Sequence, residues 1–140
     1  MYADSFAERL AEEEGDNLTE DKWCMAWVDA NGTGGIKNPS ARFTELKALT
    51  IVFDYPLTRE ARLEFKSETG FTRSEIIECI RAGYRKIYAE DGGEYAPDLP
   101  CWMAAPGSKW GIWGHSIVDL VIDRVDIDSD TGIVELWISS

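Results

Sequence analysis

The amino-acid sequence predicts an α+β domain, in which a mostly antiparallel sheet of about five strands packs one face on a single long helix. Two patterns support this prediction. Short runs either are rich in β-branched and aromatic residues or alternate apolar with charged positions, as strands do. A 3.6-residue apolar period covers residues 72–91, as in an amphipathic helix. The elements follow the order strand, strand, strand, helix, long loop, strand, strand.

The sequence predicts a single domain over residues 22–140. Residues 1–21, which precede it, are expected to form an acidic N-terminal arm or short helix. Ser5 and Glu8 have the spacing of a capping box, and Phe6 and Leu10 lie one helical turn apart. The segment lacks a basic region followed by an apolar one, so it does not predict a secretory signal peptide.

The first half of the domain predicts three strands. "KWCMAWVD" is apolar on both alternating faces and predicts a buried strand of about six residues. The glycine-rich stretch "DANGTGGIKNPS" is a loop by its turn residues. "KALTIVFDY" predicts a central strand, and "ARLEFKS" predicts a half-exposed one with Leu63 and Phe65 inward. We expect these two strands to form an antiparallel hairpin.

The predicted helix has clear signals at both ends. Thr72 is its N-cap, Glu75 completes a capping box, and Phe71 and Ile76 have the spacing of a hydrophobic staple. Gly92 and Gly93 are expected to end it. Four basic residues are expected mostly on the face away from the core, where they either pair with acids of the chain or form a docking face: Arg73, Arg81, Arg85 and Lys86.

A long Trp-rich loop and a last hairpin follow the helix. "APDLPCWMAAPGSKWGIWG" shows no periodicity, and long irregular segments in compact domains are often functional. Strands over 120–128 and 132–138 are joined by "SDTG", with Gly132 at positive φ. The predicted core consists of Trp27, Leu49, Ile51, Phe53, Leu63, Phe65, Ile76, Ile80, Tyr84, Ile87, Leu120, Ile122, Leu136 and Ile138.

The net charge of −12 is unevenly distributed along the chain. Residues 1–21 carry eight acids and one arginine, residues 22–86 carry eight acids and eleven bases, and residues 87–140 carry ten acids and two bases. Because binding to a phosphate backbone needs a cationic surface, we expect no direct nucleic-acid binding. The acids serve solubility, attract a basic protein partner, or mimic a nucleic acid.

The remaining composition bears on location. No apolar run is long enough to span a membrane. Cys24, Cys79 and Cys101 are odd in number and lack CxxC or CxxH spacing, which argues against disulfides and a zinc cluster. A reducing, cytoplasmic compartment is therefore expected.

Recognisable catalytic and metal-binding motifs are absent from the sequence. There is one histidine, and neither a GxSxG elbow nor a phosphate-binding loop is present. "DIDSDTGIVE" resembles the start of a calcium loop, but its glycine is one position late and Trp137 stands where the bidentate glutamate is needed. A thiol enzyme would pair a cysteine, Cys101 being the best presented, with His115. We therefore predict no catalytic residue, metal or cofactor.

The stretch "WGIWGHSIVDL" is the strongest candidate site. Trp110 and Trp113 flank a glycine, and another glycine precedes His115. In a structural interpretation these tryptophans and Trp102 cover an end of the sheet, and His115 bonds a backbone carbonyl. In a functional interpretation Trp102, Trp110, Trp113, His115 and Asp119 form a binding surface for a protein or line a small-molecule pocket.

Two parts of the sequence carry a resemblance. "GFTRSEIIECIRAGYRKIYAE" followed by "WGIWGHSIVDLVIDRVDID" resembles a small family of uncharacterised proteins of plants, bacteria and large viruses. The shared features are a capped helix after "GFTR" and a "WGH…DL" loop entering the last hairpin, over about the second half of the chain. The resemblance implies the same fold and no particular activity.

The functional prediction is a small acidic intracellular protein that is not an enzyme and acts by binding another protein. The alternative is an enzyme or small-ligand-binding domain whose site lies in the loop of residues 101–119, with His115 and Asp119 as its polar groups. A third hypothesis is a nucleic-acid-mimicking inhibitor, which needs the acids of the arm and of the last hairpin on one continuous surface.

Overall fold

A computed structural model describes residues 18–91 and 108–140 of the chain. It confirms the predicted α+β class, with a five-stranded, mostly antiparallel sheet and one long helix. A 3₁₀ turn at Ile117–Asp119 precedes the last hairpin. The strands are β1 (Ala26–Trp27), β2 (Arg42–Thr44), β3 (Ala48–Phe53), β4 (Ala61–Lys66), β5 (Phe71–Thr72), β6 (Val121–Asp128) and β7 (Ile133–Ser139), and the helix is α1 (Arg73–Glu90).

The main sheet has the strand order β1-β6-β7-β3-β4, and β2 pairs with β5 in a separate two-stranded sheet. The β3–β4 and β6–β7 hairpins are antiparallel, as predicted. The two hairpins meet through a parallel pairing of β3 with β7. Gly132 has φ +73° and lies against the carbonyl oxygen of Ala48, so the turn of one hairpin is seated beside the other.

Helix α1 covers one face of the sheet and closes the core. Its N-cap is Thr72, whose hydroxyl accepts from the Glu75 amide, while the Glu75 carboxylate accepts from the Thr72 amide. Most of the predicted core is fully buried, and Leu63, Phe65, Leu136 and Ile138 pack against it half-buried. Trp27 is half-buried, while its neighbours Ala26 and Val28 are fully buried.

The prediction of a six-residue first strand is wrong. β1 contains two residues, and Cys24 forms an isolated bridge with Ile36 of the following loop instead of continuing along β6. Gly35 explains the change of partner, because a Cβ at this positive-φ position would lie 2.0 Å from the Met25 carbonyl oxygen. The loop therefore folds back onto residues 24–26 and takes the place of a longer strand.

The expectation that the helix arginines lie mostly away from the core is also wrong for two of them. Arg81 is 1% exposed, and its guanidinium donates to the carbonyl oxygens of Trp27 and Gly32 at 3.0 and 2.8 Å. Arg73 is buried and donates to the Lys37 carbonyl oxygen and the Glu20 carboxylate. These arginines supply hydrogen-bond donors to backbone carbonyl oxygens of the largely irregular segment 27–37.

Some expectations concern residues outside the described ranges: the helix in residues 1–17, the end of α1 at Gly92 and Gly93, and the loop positions Cys101 and Trp102. Within residues 18–91 and 108–140, no helix is long and apolar enough to cross a bilayer.

Candidate functional site

Residues 108–113 of the candidate site are attached to the turn that follows β3. The Thr58 hydroxyl donates to the Gly111 carbonyl oxygen at 2.7 Å, and the Thr58 amide donates to the same oxygen at 2.9 Å. The Arg59 side chain donates to the carbonyl oxygens of Ser108 and Lys109. Gly111 has φ +67°, and a Cβ there would lie 2.5 Å from Thr58 Cβ. Glycine is therefore required for this close approach.

A buried carboxylate at the end of α1 holds the same segment from the other side. Asp91 is 8% exposed, and its Oδ1 accepts from the Ser108 hydroxyl at 2.6 Å and from the Trp110 amide at 3.2 Å. The Lys109 amide donates to the Asp91 carbonyl oxygen. The helix end and the turn after β3 together fix the backbone that leads into Trp113.

Three aromatic rings meet where this segment crosses the end of β3. Tyr55 lies edge-on to Trp113, with centroids 5.6 Å apart, and 5.5 Å from the His115 ring. Trp113 and His115 are 5.4 Å apart. The Trp113 amide donates to the Pro56 carbonyl oxygen at 3.1 Å, so the backbone as well as the rings is held. All three side chains are half-buried and reach the surface.

His115 bonds a side chain rather than a backbone carbonyl, which corrects the structural interpretation of the sequence. Its Nε2 lies 3.0 Å from the Tyr55 hydroxyl, which also lies 2.7 Å from the hydroxyl of Ser140. The backbone carbonyl of His115 accepts from the Tyr88 hydroxyl of α1 at 3.0 Å. Imidazole, phenol and hydroxyl thus form a polar chain at the surface.

Asp119 has a local structural role. Its carboxylate accepts from the Ser116 amide at 3.2 Å, and its own amide donates to the Ser116 carbonyl oxygen, which closes the 3₁₀ turn. The turn presents Val118 outward with 47% exposure. Val118 and Trp137 are the large apolar side chains that stand exposed in the described part of the chain.

The structure therefore brings some of the predicted site residues together and separates others. Trp113 and His115 are in contact, and Asp119 lies on the turn that follows them. Trp110 instead packs against the core, with the Lys109 ammonium 5.0 Å from its ring centroid. Trp102 lies outside the described residues.

Two cysteine thiols and two tyrosine hydroxyls near the core are held in their neutral forms. Burial raises the pKa of the Cys24 thiol to about 12 and that of the Cys79 thiol to about 11, so neither is a thiolate near neutral pH. Burial likewise raises the pKa of the Tyr84 and Tyr88 hydroxyls, which act as hydrogen-bond donors. Across residues 18–91 and 108–140, no three His, Cys, Asp or Glu side chains are grouped to hold a metal.

Sequence reasoning missed several surface residues of interest. Tyr55 follows β3 in a turn, and no periodicity relates it to His115, 60 positions later. Ser140 reaches Tyr55 through the parallel pairing of β7 with β3, which is non-local. Trp137 had a usable signal: once Leu136 and Ile138 are assigned inward, alternation places Trp137 outward.

Comparison with known proteins does not assign the chain to a family or a function. No protein-family model, curated protein or solved structure matches the chain. The resemblance carried by "GFTR" and "WGH…DL" stays a prediction, and proposals about function rest on the side chains described above.

Proposed function

We propose that this protein acts by binding another protein, as a small non-catalytic cytoplasmic domain. We name its candidate contact surface the Trp113 surface, made of Tyr55, Trp113, His115 and Val118. The observation that carries the proposal is the 47% exposure of Val118, immediately after half-buried aromatic rings. Val118 thereby adds exposed apolar area to a surface that contains tyrosine and tryptophan, two residue types enriched at protein interfaces.

The rigidity of this surface supports the same proposal. The backbone that leads into it bonds to Thr58, Arg59 and Asp91. The Trp113 amide donates to the Pro56 carbonyl oxygen, and the Tyr88 hydroxyl donates to the His115 carbonyl oxygen. A preformed surface loses less conformational entropy on binding, so more of the contact free energy appears as affinity. Tyrosine and tryptophan are also the side chains most enriched among residues that dominate binding.

A single exposed substitution tests the proposal. Val118→Asp places a charge at the exposed apolar member of the Trp113 surface, and Thr33→Asp places the same charge at an exposed loop position elsewhere. In affinity purification from cells that express the protein, followed by quantitative mass spectrometry, we expect Val118→Asp to reduce partner recovery at least about ten-fold. Thr33→Asp should leave recovery unchanged.

Circular dichroism of both variants checks that the fold is retained. Equal recovery with the wild-type chain and folded Val118→Asp would contradict the proposal. So would the absence of any reproducible partner.

The chain of Tyr55, His115 and Ser140 favours the second candidate, a small-ligand site or enzyme at the same surface. The Tyr55 hydroxyl lies 3.0 Å from the His115 imidazole and 2.7 Å from the Ser140 hydroxyl, so the three groups offer several donors and acceptors to a polar ligand. Tyr55→Phe removes the bridging hydroxyl and keeps the ring. A ligand identified by thermal-shift screening should lose affinity in this variant, whereas Val118→Asp should mainly affect a protein partner.

The third candidate, a nucleic-acid mimic, requires a continuous acidic surface. The acids of β6, β7 and their turn are candidates for part of one, and residues 1–17 of the predicted arm of residues 1–21 lie outside the described ranges. Competition between this protein and DNA for a DNA-binding partner would separate this function from the first proposal.

A further inference from the structure

We propose that the outer face of β6 and β7 is a second docking surface, and that its occupant is a basic segment of a partner protein carrying an apolar side chain. We name it the Trp137 face, made of Arg124, Asp126, Glu135 and Trp137. It shares no residue with the Trp113 surface and does not rest on the function proposed there.

Strand register places these four side chains on one side of the sheet. Arg124 lies directly opposite Trp137, and Asp126 lies directly opposite Glu135. The intervening pair, Val125 and Leu136, faces the core. Trp137 is 44% exposed. An exposed tryptophan on a paired strand is a typical anchor for a partner.

A pocket of about 400 Å³ adjoins Trp137. The pocket is lined by residues 21–24, which precede β1, by residues 123–125 of β6 and by Trp137. Its lining includes the apolar residues Trp23, Cys24, Val125 and Trp137 and the ion pair of Lys22 with Asp123. The walls suit an apolar side chain from a partner, because apolar burial dominates such anchoring.

The charge around the pocket selects the partner. Residues 21–22 and 121–139 carry six acids and two bases. Both bases are engaged: Lys22 with Asp123, and Arg124 with Asp126 through two 3.0 Å contacts. Glu135 stands opposite Asp126 without a cation of its own among the described residues. Since Arg124 already neutralises Asp126, Glu135 is the acid of this pair that a lysine or arginine of a partner can neutralise.

The two stretches of sequence that lie outside the described residues are a poor source of that cation. Residues 1–17 hold six acids and one arginine, and residues 92–107 hold two acids and no base. Either segment would add negative charge to a negative face. The complementary charge therefore comes from another molecule, and a protein segment provides both the cation and the apolar side chain that the pocket accepts.

Selection from a displayed library of random peptides tests this inference. The probe is the library itself, panned on the wild-type chain, and each selected peptide is then measured by fluorescence polarisation. We expect selected peptides to carry net positive charge together with a large apolar residue. Replacing their basic residues with glutamate should abolish binding to the wild-type chain, a result that depends on no variant of the protein.

Matched variants locate the binding. Trp137→Ala and Glu135→Lys should each weaken a selected peptide at least about ten-fold. Glu68→Lys makes the same charge change at an exposed turn after β4, and it should leave affinity within about three-fold. Val118→Asp should also leave it unchanged.

Several outcomes would overturn the inference. Selected peptides could be neutral or acidic, or Glu68→Lys could weaken binding as much as Glu135→Lys, which would indicate non-specific attraction. Loss of binding in Val118→Asp alone would assign the peptides to the Trp113 surface and favour the function proposed above. Self-association of the wild-type chain in analytical ultracentrifugation, abolished by Trp137→Ala, would show that the occupant is a second copy.

Discussion

Arg81 shows how a single side chain can organise a segment that lacks regular structure. It projects from α1 into the loop after β1 and donates to the carbonyl oxygens of Trp27 and Gly32. The same guanidinium contacts the half-exposed carboxylate of Glu78 at 2.7 Å. The sequence prediction placed the basic residues of the helix, Arg81 among them, mostly away from the core because arginine is polar. A buried arginine becomes favourable when backbone acceptors surround it, and no local pattern reports them.

Replacing Arg81 tests this role. Arg81→Met keeps most of the apolar volume and removes the Arg81 hydrogen bonds to the carbonyl oxygens of Trp27 and Gly32. We expect it to lower the free energy of unfolding by about 2–4 kcal/mol. Arg85→Met is the control, since Arg85 is exposed where it donates to the Ala30 carbonyl oxygen, and it should cost under about 1 kcal/mol. Urea denaturation gives both values, and equal losses would refute the role of Arg81.

At the scale of elements, helix α1 is the part of the fold that the sequence predicted best. Its cap, capping box and apolar face are all local, and each appears as expected. Its contact with the sheet was not predictable in the same way. Gly83 lies against Phe53 so closely that an added Cβ would be 2.3 Å from the ring atom Cζ. A glycine inside a helix indicates a close approach but does not identify the partner.

Gly83→Ala should have two opposing effects on stability, a gain from higher helix propensity and a loss from overpacking. Alanine should favour the helix by about 1 kcal/mol, but it would overpack a fully buried ring that also contacts Tyr84 edge-on. Since overpacking typically costs about 1–3 kcal/mol, we expect Gly83→Ala to destabilise the protein on balance. At exposed Ala89 of the same helix the opposite change, Ala89→Gly, should cost about 1 kcal/mol. A more stable Gly83→Ala protein would show that the contact is loose.

The capping box also predicts a dependence on pH. The hydrogen bond from the Thr72 amide lowers the pKa of Glu75 below its ordinary value of 4.5. A carboxyl whose pKa is lowered by folding contributes stability above that ordinary value and loses it as the pH falls through the folded-state pKa. Glu75→Gln should therefore be less stable than wild type at neutral pH, with a difference that shrinks on acidification.

Thermal unfolding at a series of pH values measures this difference. Glu68→Gln, at an exposed turn position, is the control and should show no comparable trend. A Glu75→Gln difference that stays constant from neutral pH to below 4.5 would exclude the ionised cap as its cause.

At the scale of the whole molecule, pairings between neighbouring segments could be predicted from the sequence, whereas pairings between distant segments could not. Both hairpins join neighbouring segments, so alternation and turn residues sufficed to predict them. The strand order depends on β7 pairing with β3, whose residues lie more than 80 positions away along the chain, and no pattern encodes that pairing. The candidate site divides similarly: Trp113 and His115 were predicted from their spacing, whereas Tyr55 joins them only through the assembled sheet.

The net charge of −12 leads to a last prediction about stability. It concerns the acidic outer face of β6 and β7. Glu135→Gln removes one of two acids that stand directly opposite each other, and Arg124 already offsets the charge of the other, Asp126. We therefore expect it to raise the free energy of unfolding by only about 0.2–0.5 kcal/mol at low salt. Salt screens exposed charges, and the gain should largely vanish near 1 M NaCl, where the screening length is about 3 Å. Glu68→Gln relieves the same net charge without an opposing partner, and a gain as large there would assign the effect to overall charge. If neutralising Glu135 stabilises the protein, the wild-type chain keeps this acid at a cost in folding stability. Such a cost is expected of a surface that is selected to bind cations.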